Sequence, residues 1–363
     1  MAEKIRILAV ADPAVQGYVK GKVLAEYPGE TQLDILPWSS YYPAMIDALE
    51  GRLDYDIVMV AGHLWLKELV DAGYLAEFSG LATGFLPGLE NDLYYKGKPY
   101  LAPSFFDGHI LVYRKNAVGG NWPVRLTPAE YIERLQRLYE AGKRDFLAIK
   151  AHPSEIFTDA LPFLRMYGKD VYDEKGRVQC DSSEVVAGLA TYCGLRKYAP
   201  EDTGNYGNEE ILKKMQKGKA AVAVTWSGQM GILCNEGCYQ SEDLGVSVLT
   251  TSWNTVWSFG INKRSRQIPA CCDFLTYLCS EAVELRVSEV SGTPLHEKFY
   301  VQQPLYPWSQ CLQEMVRLAR PLPYMENASA KNAVFYRNIA EAFVGRVSPA
   351  EAMAAAKAEI MTL

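Results

Sequence analysis

Between Tyr41 and Phe78 the apolar positions change period twice. Met45, Ile46 and Leu49 recur at spacings of three and four behind Pro43 and ahead of Gly51, which predicts a short helix. Asp56 is followed by Ile57-Val58-Met59-Val60, an unbroken apolar run that fits a strand covered on both faces. Leu66, Leu69 and Val70 then resume helical spacing until Gly73 stops it. The loop predicted between this strand and the second helix carries His63 and Trp65. It falls at the carboxyl end of a strand, where open α/β sheets take their ligands. Packing of the loop is the other reading of these two side chains.

The same reading extends along the chain. Strand-like runs are predicted at 5–10, 33–36, 57–60, 110–113, 146–149, 221–224, 245–249 and 258–261, with helical patterns at 127–141, 155–167, 182–197, 208–217 and 268–280. The last sixty residues read as helix at 327–344 and 348–360, joined by Gly345-Arg346. Thr127-Pro128 and Ser348-Pro349-Ala350-Glu351 supply helix caps with a proline at the first helical position. Strands alternating with helices predict an α/β fold with right-handed crossovers. Residues 99–115 and 253–264 each begin as turn and end as strand, which predicts hinge crossings between two lobes.

Composition narrows the class. A chain of 363 residues is long for one core and fits two domains. Its 49% hydrophobic and 22% charged content is ordinary for a soluble globular protein. The net charge of -6, with no long Lys/Arg cluster, argues against nucleic acid as a partner. No apolar run approaches the ~20 residues that span a bilayer. The first residues, MAEKIRILAVADP, lack the pattern of a signal peptide. The eight cysteines include no C-x-x-C pair; Cys234 and Cys238 share one loop and are close enough in sequence to bond, whereas adjacent Cys271 and Cys272 are poorly placed to do so.

Six segments, in order, carry a resemblance. They are ALEGRLDYDIVMV followed by LVDAGYLAEF, the run Lys96-Gly-Lys-Pro99-Tyr-Leu-Ala-Pro103, and Ile110-Leu-Val-Tyr-Arg-Lys115. Then come Gly218-Lys-Ala-Ala-Val-Ala-Val224 before Trp226-Ser-Gly, Phe259-Gly-Ile-Asn-Lys263, and Gly345-Arg-Val-Ser-Pro349-Ala-Glu-Ala. Together they resemble the extracellular solute-binding proteins of family 1, receptors of carbohydrate ABC importers that include maltose-binding protein. The resemblance implies a two-lobed periplasmic-binding-protein fold of type II. Each lobe is then a mixed, mostly parallel sheet flanked by helices, with residues 1–107 and 259–305 in the N-terminal lobe and 108–258 and 306–363 in the C-terminal one. It implies a ligand cleft between lobes that closes by hinge motion, a membrane permease as partner, and an extracytoplasmic location (periplasm or cell surface); from the residues alone, either the protein is cytoplasmic or an export signal is absent from this sequence.

By matching position, the resemblance implies ligand contacts from Asp12, Trp38, Tyr41, His63, Phe106, Asp107, Trp226, Ser227, Trp253, Trp257 and Tyr324. Maltose-binding protein has an acidic residue about where His63 stands and a glutamate at the place of Asp107, so its sugar contacts do not transfer directly. Sugars present apolar C–H faces and a rim of hydroxyls, which call for flat aromatics and carboxylates. Trp38, Trp226, Trp253 and Trp257 are read as loop residues, a placement that favours binding, with lobe packing as the alternative. Asp107 beside Phe105-Phe106 is read as a ligand acid, or else as a turn cap before Gly108.

Catalytic signatures are missing. His152-Pro-Ser-Glu155 lacks the second histidine of a zinc hydrolase, there is no G-x-S-x-G elbow, and Gly17-Tyr-Val-Lys-Gly21-Lys22 misses the spacing of a phosphate loop. A glycosidase needs two carboxylates about 5–9.5 Å apart, a role that Asp12 and Asp107 could fill by converging. The expectation is a monomeric sugar or oligosaccharide receptor without cofactor, metal or catalysis. A receptor for a polyamine or other organic cation, boxed by aromatics and carboxylates, is the alternative. Behind it come a glycan-processing enzyme and, last, ferric-iron binding through Tyr41-Tyr42 or Tyr94-Tyr95.

Overall fold

A computed structural model of the chain describes residues 4–12 and 15–363. The fold divides into two compact units, one of 1–107, 227–232 and 255–306, the other of 108–226, 233–254 and 307–363. Against the expected boundaries, 227–232 and the whole run from Thr255 belong to the first unit. The reason is backbone pairing: the strand Asn254–Ile261 lies antiparallel to Ile57–Ala61, with Trp257 opposite Ala61 and Ile261 opposite Ile57.

In the first unit Ile5–Val10 runs parallel to Thr31–Leu36 on one side and to Ile57–Ala61 on the other. Every residue of Ile57–Ala61 is buried, as its unbroken apolar run requires. The helix after Thr31–Leu36 begins at Trp38 and ends at Leu49, so Pro43 lies inside it and not in its first turn. The helix after Ile57–Ala61 spans Gly62–Asp71 and starts without any intervening loop. His63 and Trp65 are therefore helical residues, contrary to the sequence expectation. Gly62 permits this junction, because a Cβ there would lie 2.3 Å from the carbonyl oxygen of Asp92.

In the second unit the sheet is mixed, and the back half of Leu101–Arg114 is antiparallel to both neighbours. His109 faces Trp226 and Tyr113 faces Val222 along Val222–Trp226; Leu111 faces Ser247 along Leu244–Leu249. Among the described residues the parallel pairs here are short, Leu147–Ala148 beside Val222–Trp226 and Arg125–Leu126 beside Leu244–Leu249. The expectation of a mostly parallel sheet thus holds for the first unit and not for the second.

The helices form where their caps and stripes predict. Thr127 and Glu130 exchange hydrogen bonds at the start of Pro128–Glu140, at 2.7 and 3.2 Å, and Ser348 and Glu351 do the same for Pro349–Ile360 at 2.8 and 3.2 Å. Ile156–Leu164 is buried at all nine positions and packs Phe157 on Phe335 of Ala328–Phe343, ring centroids 4.7 Å apart. All eight cysteines are free thiols, Cys234 and Cys238 included. Among the described residues no helix is long and apolar enough to cross a membrane.

Ser183–Gly194 approaches Ile156–Leu164 so closely that a Cβ on Gly188 would sit 2.4 Å from the Phe163 carbonyl oxygen. Gly194, at the end of the same helix, has nothing within 4 Å. Gly188→Ala should therefore cost about 1–3 kcal/mol by overpacking. Gly194→Ala should be neutral or raise stability by about 0.5–1 kcal/mol. Urea melts of the two variants check this, and equal effects would mean that the helices do not meet at Gly188.

Candidate functional site

The loops and helix starts that follow strands gather aromatic side chains in each unit separately. In the first unit Trp38 stands two residues past Thr31–Leu36, and Trp65 lies in the first turns after Ile57–Ala61. Trp257 reaches the same end because its antiparallel strand starts there, opposite Ala61. Trp38 stacks on Trp65 with centroids 5.6 Å apart and planes 19° apart. Trp257 meets Trp38 edge-on at 5.8 Å and lies over Phe105 at 6.4 Å. Trp65 is 2% exposed and Trp38 49%, so a buried indole supports an open one. Two stacked indoles have one rigid mutual geometry, which spares a ligand the cost of ordering them.

Behind this aromatic group lies a polar relay. The carboxylate of buried Asp92 accepts from the Val256 amide at 2.9 Å and the Thr255 hydroxyl at 3.2 Å, and that hydroxyl also meets Nδ1 of His63. Burial pushes the Asp92 carboxyl up to about 6, against the opposing pull of these two donors. Desolvation pushes the imidazole of His63 down to about 3, so the ring is neutral at pH 7.

The second unit builds its own group. Trp226 ends the strand Val222–Trp226 and is half-buried. His109 packs on it at 4.1 Å, Trp253 meets it edge-on at 5.5 Å, and the Lys150 ammonium lies 4.8 Å from its ring centre. Lys150 is wholly buried, and its charge is met by Asp159 Oδ1 at 2.9 Å and Asn208 Oδ1 at 3.0 Å, with Glu155 at 4.0 Å. Asp159 also holds Nε2 of His109. Burial lowers the His109 pKa more than Asp159 raises it. Burial likewise raises that of Glu155.

The remaining expected residues fall on both sides of the line between surface and core. Tyr41 is buried, and its hydroxyl donates to the Met59 carbonyl at 2.5 Å with the Leu8 carbonyl 3.2 Å away, so it sits between two strands. Phe106 is buried beside Tyr300, 6.3 Å away. Trp253 is buried with Nε1 donating to the Thr158 carbonyl at 3.2 Å. All three are buried, and Trp253 lies in the loop just ahead of Asn254–Ile261, as expected, with its indole packed inward. Trp38, Trp226 and Trp257, by contrast, lie in a helix or strand and not in loops.

Asp107 is buried, with Oδ1 accepting from the Gly228 amide at 2.8 Å and from Ser227 Oγ at 3.4 Å. Both bonds lie within the first unit, so the acid and Ser227 hold that segment of chain in place. Asp12 and Tyr324 are half-buried, in the first and second unit respectively. Sequence reasoning missed Asp92, Thr255, His109, Lys150 and Asp159. The signal for two of them was available: His109 and Lys150 are ionisable residues that directly adjoin the apolar runs 110–113 and 146–149.

The model of the bacterial extracellular solute-binding protein family matches residues 16–284. No curated protein matches the chain. Among solved structures, the chain is similar to maltose-bound T. maritima MalE3, at 21% identity and a TM-score of 0.87 over 99% of this chain and 100% of that one. It is similar also to a solute-binding protein from Agrobacterium vitis S4 with bound D-mannitol, at 17% identity and a TM-score of 0.83 over 99% and 98%. The GacH receptor of Streptomyces glaucescens, solved without ligand and with acarbose, is 20% identical with a TM-score of 0.83 over 100% and 98%. At these identities the likeness establishes the fold.

The buried ion pair beneath Trp226 gives a direct test. Lys150→Met leaves the Asp159 carboxylate buried without its cation and should cost about 3–5 kcal/mol. Adding Asp159→Leu should recover a large part of that loss. A double variant no more stable than the single one, in chemical denaturation, would mean that the pair is not coupled.

Proposed function

Because the chain belongs to the bacterial extracellular solute-binding proteins, we propose that it is the receptor of an ABC importer and binds a sugar, oligosaccharide or polyol by stacking it on indole faces. The observation that carries this reading is the Trp38–Trp65 stack, an open indole backed by a buried one with Trp257 beside it. A large flat apolar surface, rigid before the ligand arrives, suits the C–H face of a sugar ring. The structurally similar proteins solved with maltose, D-mannitol and acarbose support that ligand class.

A cationic ligand is the weaker alternative. In the second unit the Lys150 nitrogen already lies 4.8 Å from the ring centre of Trp226, the contact that a ligand cation would make there. Catalysis is outside this proposal, since Asp92, Asp107 and Asp159 are each buried and held by partners of their own unit. The family is one of transport, periplasmic or at the cell surface, and its members work with a membrane transporter. We assign this chain the same location, a monomeric state and no nucleic-acid partner.

Thermal melting with maltose, D-mannitol, ribitol, acarbose and spermidine tests the reading. A bound ligand at one hundred times its dissociation constant adds ~2.7 kcal/mol of stability. At least one of the four carbohydrates should do so and spermidine should not; the reverse result overturns the proposal. Trp38→Ala should weaken binding by about tenfold or more, some 1.4 kcal/mol, and change the unliganded melt by no more than about 0.5 kcal/mol. Incubated maltose recovered intact would support binding without turnover, and cleaved maltose would refute it.

A further inference from the structure

We propose that the second unit carries an oxyanion site, for a ligand of the phosphate class, in the hollow lined by Arg114, Lys143, Arg144 and Lys219. The site lies at the opposite end of the strand Val222–Trp226 from Trp226 and is independent of the carbohydrate reading.

Stretches of chain far apart in sequence make this hollow, so no run of basic residues announces it. Arg114 ends the strand Leu101–Arg114, Lys143 and Arg144 lie in the turn after Pro128–Glu140, and Lys219 follows the helix Asn208–Gln216. Backbone hydrogen bonds hold them side by side. The Arg114 amide donates to the Ala221 carbonyl at 2.8 Å, and the Ala221 amide donates to the Phe146 carbonyl at 2.9 Å. Gly218 turns the chain into place at φ 65°, a left-handed conformation that favours glycine. The hollow holds about 270 Å³. Val222 and Trp226 are separated by a strand length of roughly 13 Å, so an anion here and a ligand on Trp226 do not compete for space.

Charge carries the argument. Four cations line the hollow together with a single carboxylate, that of Asp145, which leaves a local excess of positive charge in a chain whose net charge is -6. Among the described residues none of these five side chains belongs to an ion pair. Neighbouring cations do: Arg137 pairs with Glu133 on the preceding helix, and Lys213 pairs with Glu209 at 2.9 Å on the helix before Lys219. Like charges gathered without partners repel one another, and an anion between them removes that cost.

Arg114 makes the site more than a surface patch. It is 5% exposed, and a guanidinium keeps its charge. Nη1 donates to the Tyr239 carbonyl at 2.8 Å and Nη2 to the Met215 carbonyl at 2.5 Å. These neutral acceptors fix the guanidinium without neutralising it, and a buried cation without a counter-ion is costly. Arg144 is braced in the same way, its Nη1 donating to the carbonyls of Tyr139 at 2.8 Å and Lys143 at 2.7 Å. Lys143 and Lys219 are exposed, so their ammoniums can swing onto a ligand that the guanidiniums hold. Fixed forks with mobile point charges suit a compact ion that carries several acceptor oxygens and more than one negative charge, which is phosphate rather than chloride or a lone carboxylate.

Isothermal titration calorimetry of the intact chain with inorganic phosphate tests the proposal, with sodium chloride of equal ionic strength as control. Phosphate should bind at one site per chain and chloride should not. The double variant Lys143→Gln with Lys219→Gln alters two exposed residues outside both aromatic groups. It should weaken phosphate binding by about tenfold or more while leaving the melting response to maltose unchanged. Arg114→Met should abolish phosphate binding; if that variant does not fold, the double lysine variant decides alone.

No phosphate binding by the wild type, or equally tight binding by the double variant, overturns the proposal. Co-sedimentation with vesicles of phosphatidylglycerol, against phosphatidylcholine, separates the sources of the phosphate. Retention on phosphatidylglycerol that the double variant loses identifies a lipid headgroup, and phosphate binding without retention identifies a free ligand of the same class. Phosphate binding without any carbohydrate response removes the receptor reading and leaves this site standing.

Discussion

Each candidate surface depends on one constraint: a polar or charged group taken out of water must find its partner within reach. Lys150 is the clearest case. Its side-chain nitrogen is wholly buried, and Asp159 and Asn208 meet it at 2.9 and 3.0 Å. Asp92 meets the same demand with a backbone amide and a hydroxyl, and Glu284 with the amides of Leu295 and His296 and the His296 ring. Since each group has a required partner, the helices and strands that bear them cannot slide by a residue without leaving a charge unmet.

That rigidity is what the aromatic faces borrow. Trp65 is enclosed by Tyr41, Tyr42 and Trp257 and so offers Trp38 a fixed bed; Trp226 is fixed by His109, Trp253 and Lys150. An aromatic held this way presents its free area at little further entropic cost on binding. The two faces differ in chemistry as well. The first unit backs its indoles with a buried carboxyl and a hydroxyl, and the second backs its indole with a buried lysine.

Much of this architecture was legible. The run Ile57-Val58-Met59-Val60 became a wholly buried strand, and the capping sequences at Thr127 and Ser348 became capped helices with their prolines in place. These depend on residues within four positions of one another, where periodicity and capping chemistry act. The start of the helix at Gly62 was not legible, because what permits it is the Asp92 carbonyl, which comes from thirty residues away. The burial of Trp253 and Tyr41 was not legible for a related reason: an aromatic beside a strand end has the same local pattern whether its face turns outward or inward.

The sequence by itself determined the α/β class, the existence and type of most elements, and the kind of residue collected at the strand ends, because each follows from local spacing and propensity. Only the tertiary structure decided which tryptophans stay open, which unit Trp257 and Ser227 join, and that Asp92, Thr255 and His63 form one relay. Those outcomes depend on strand register and on hydrogen bonds between residues 163 and 192 positions apart, distances over which a linear pattern has no physical means of specifying which atoms will meet.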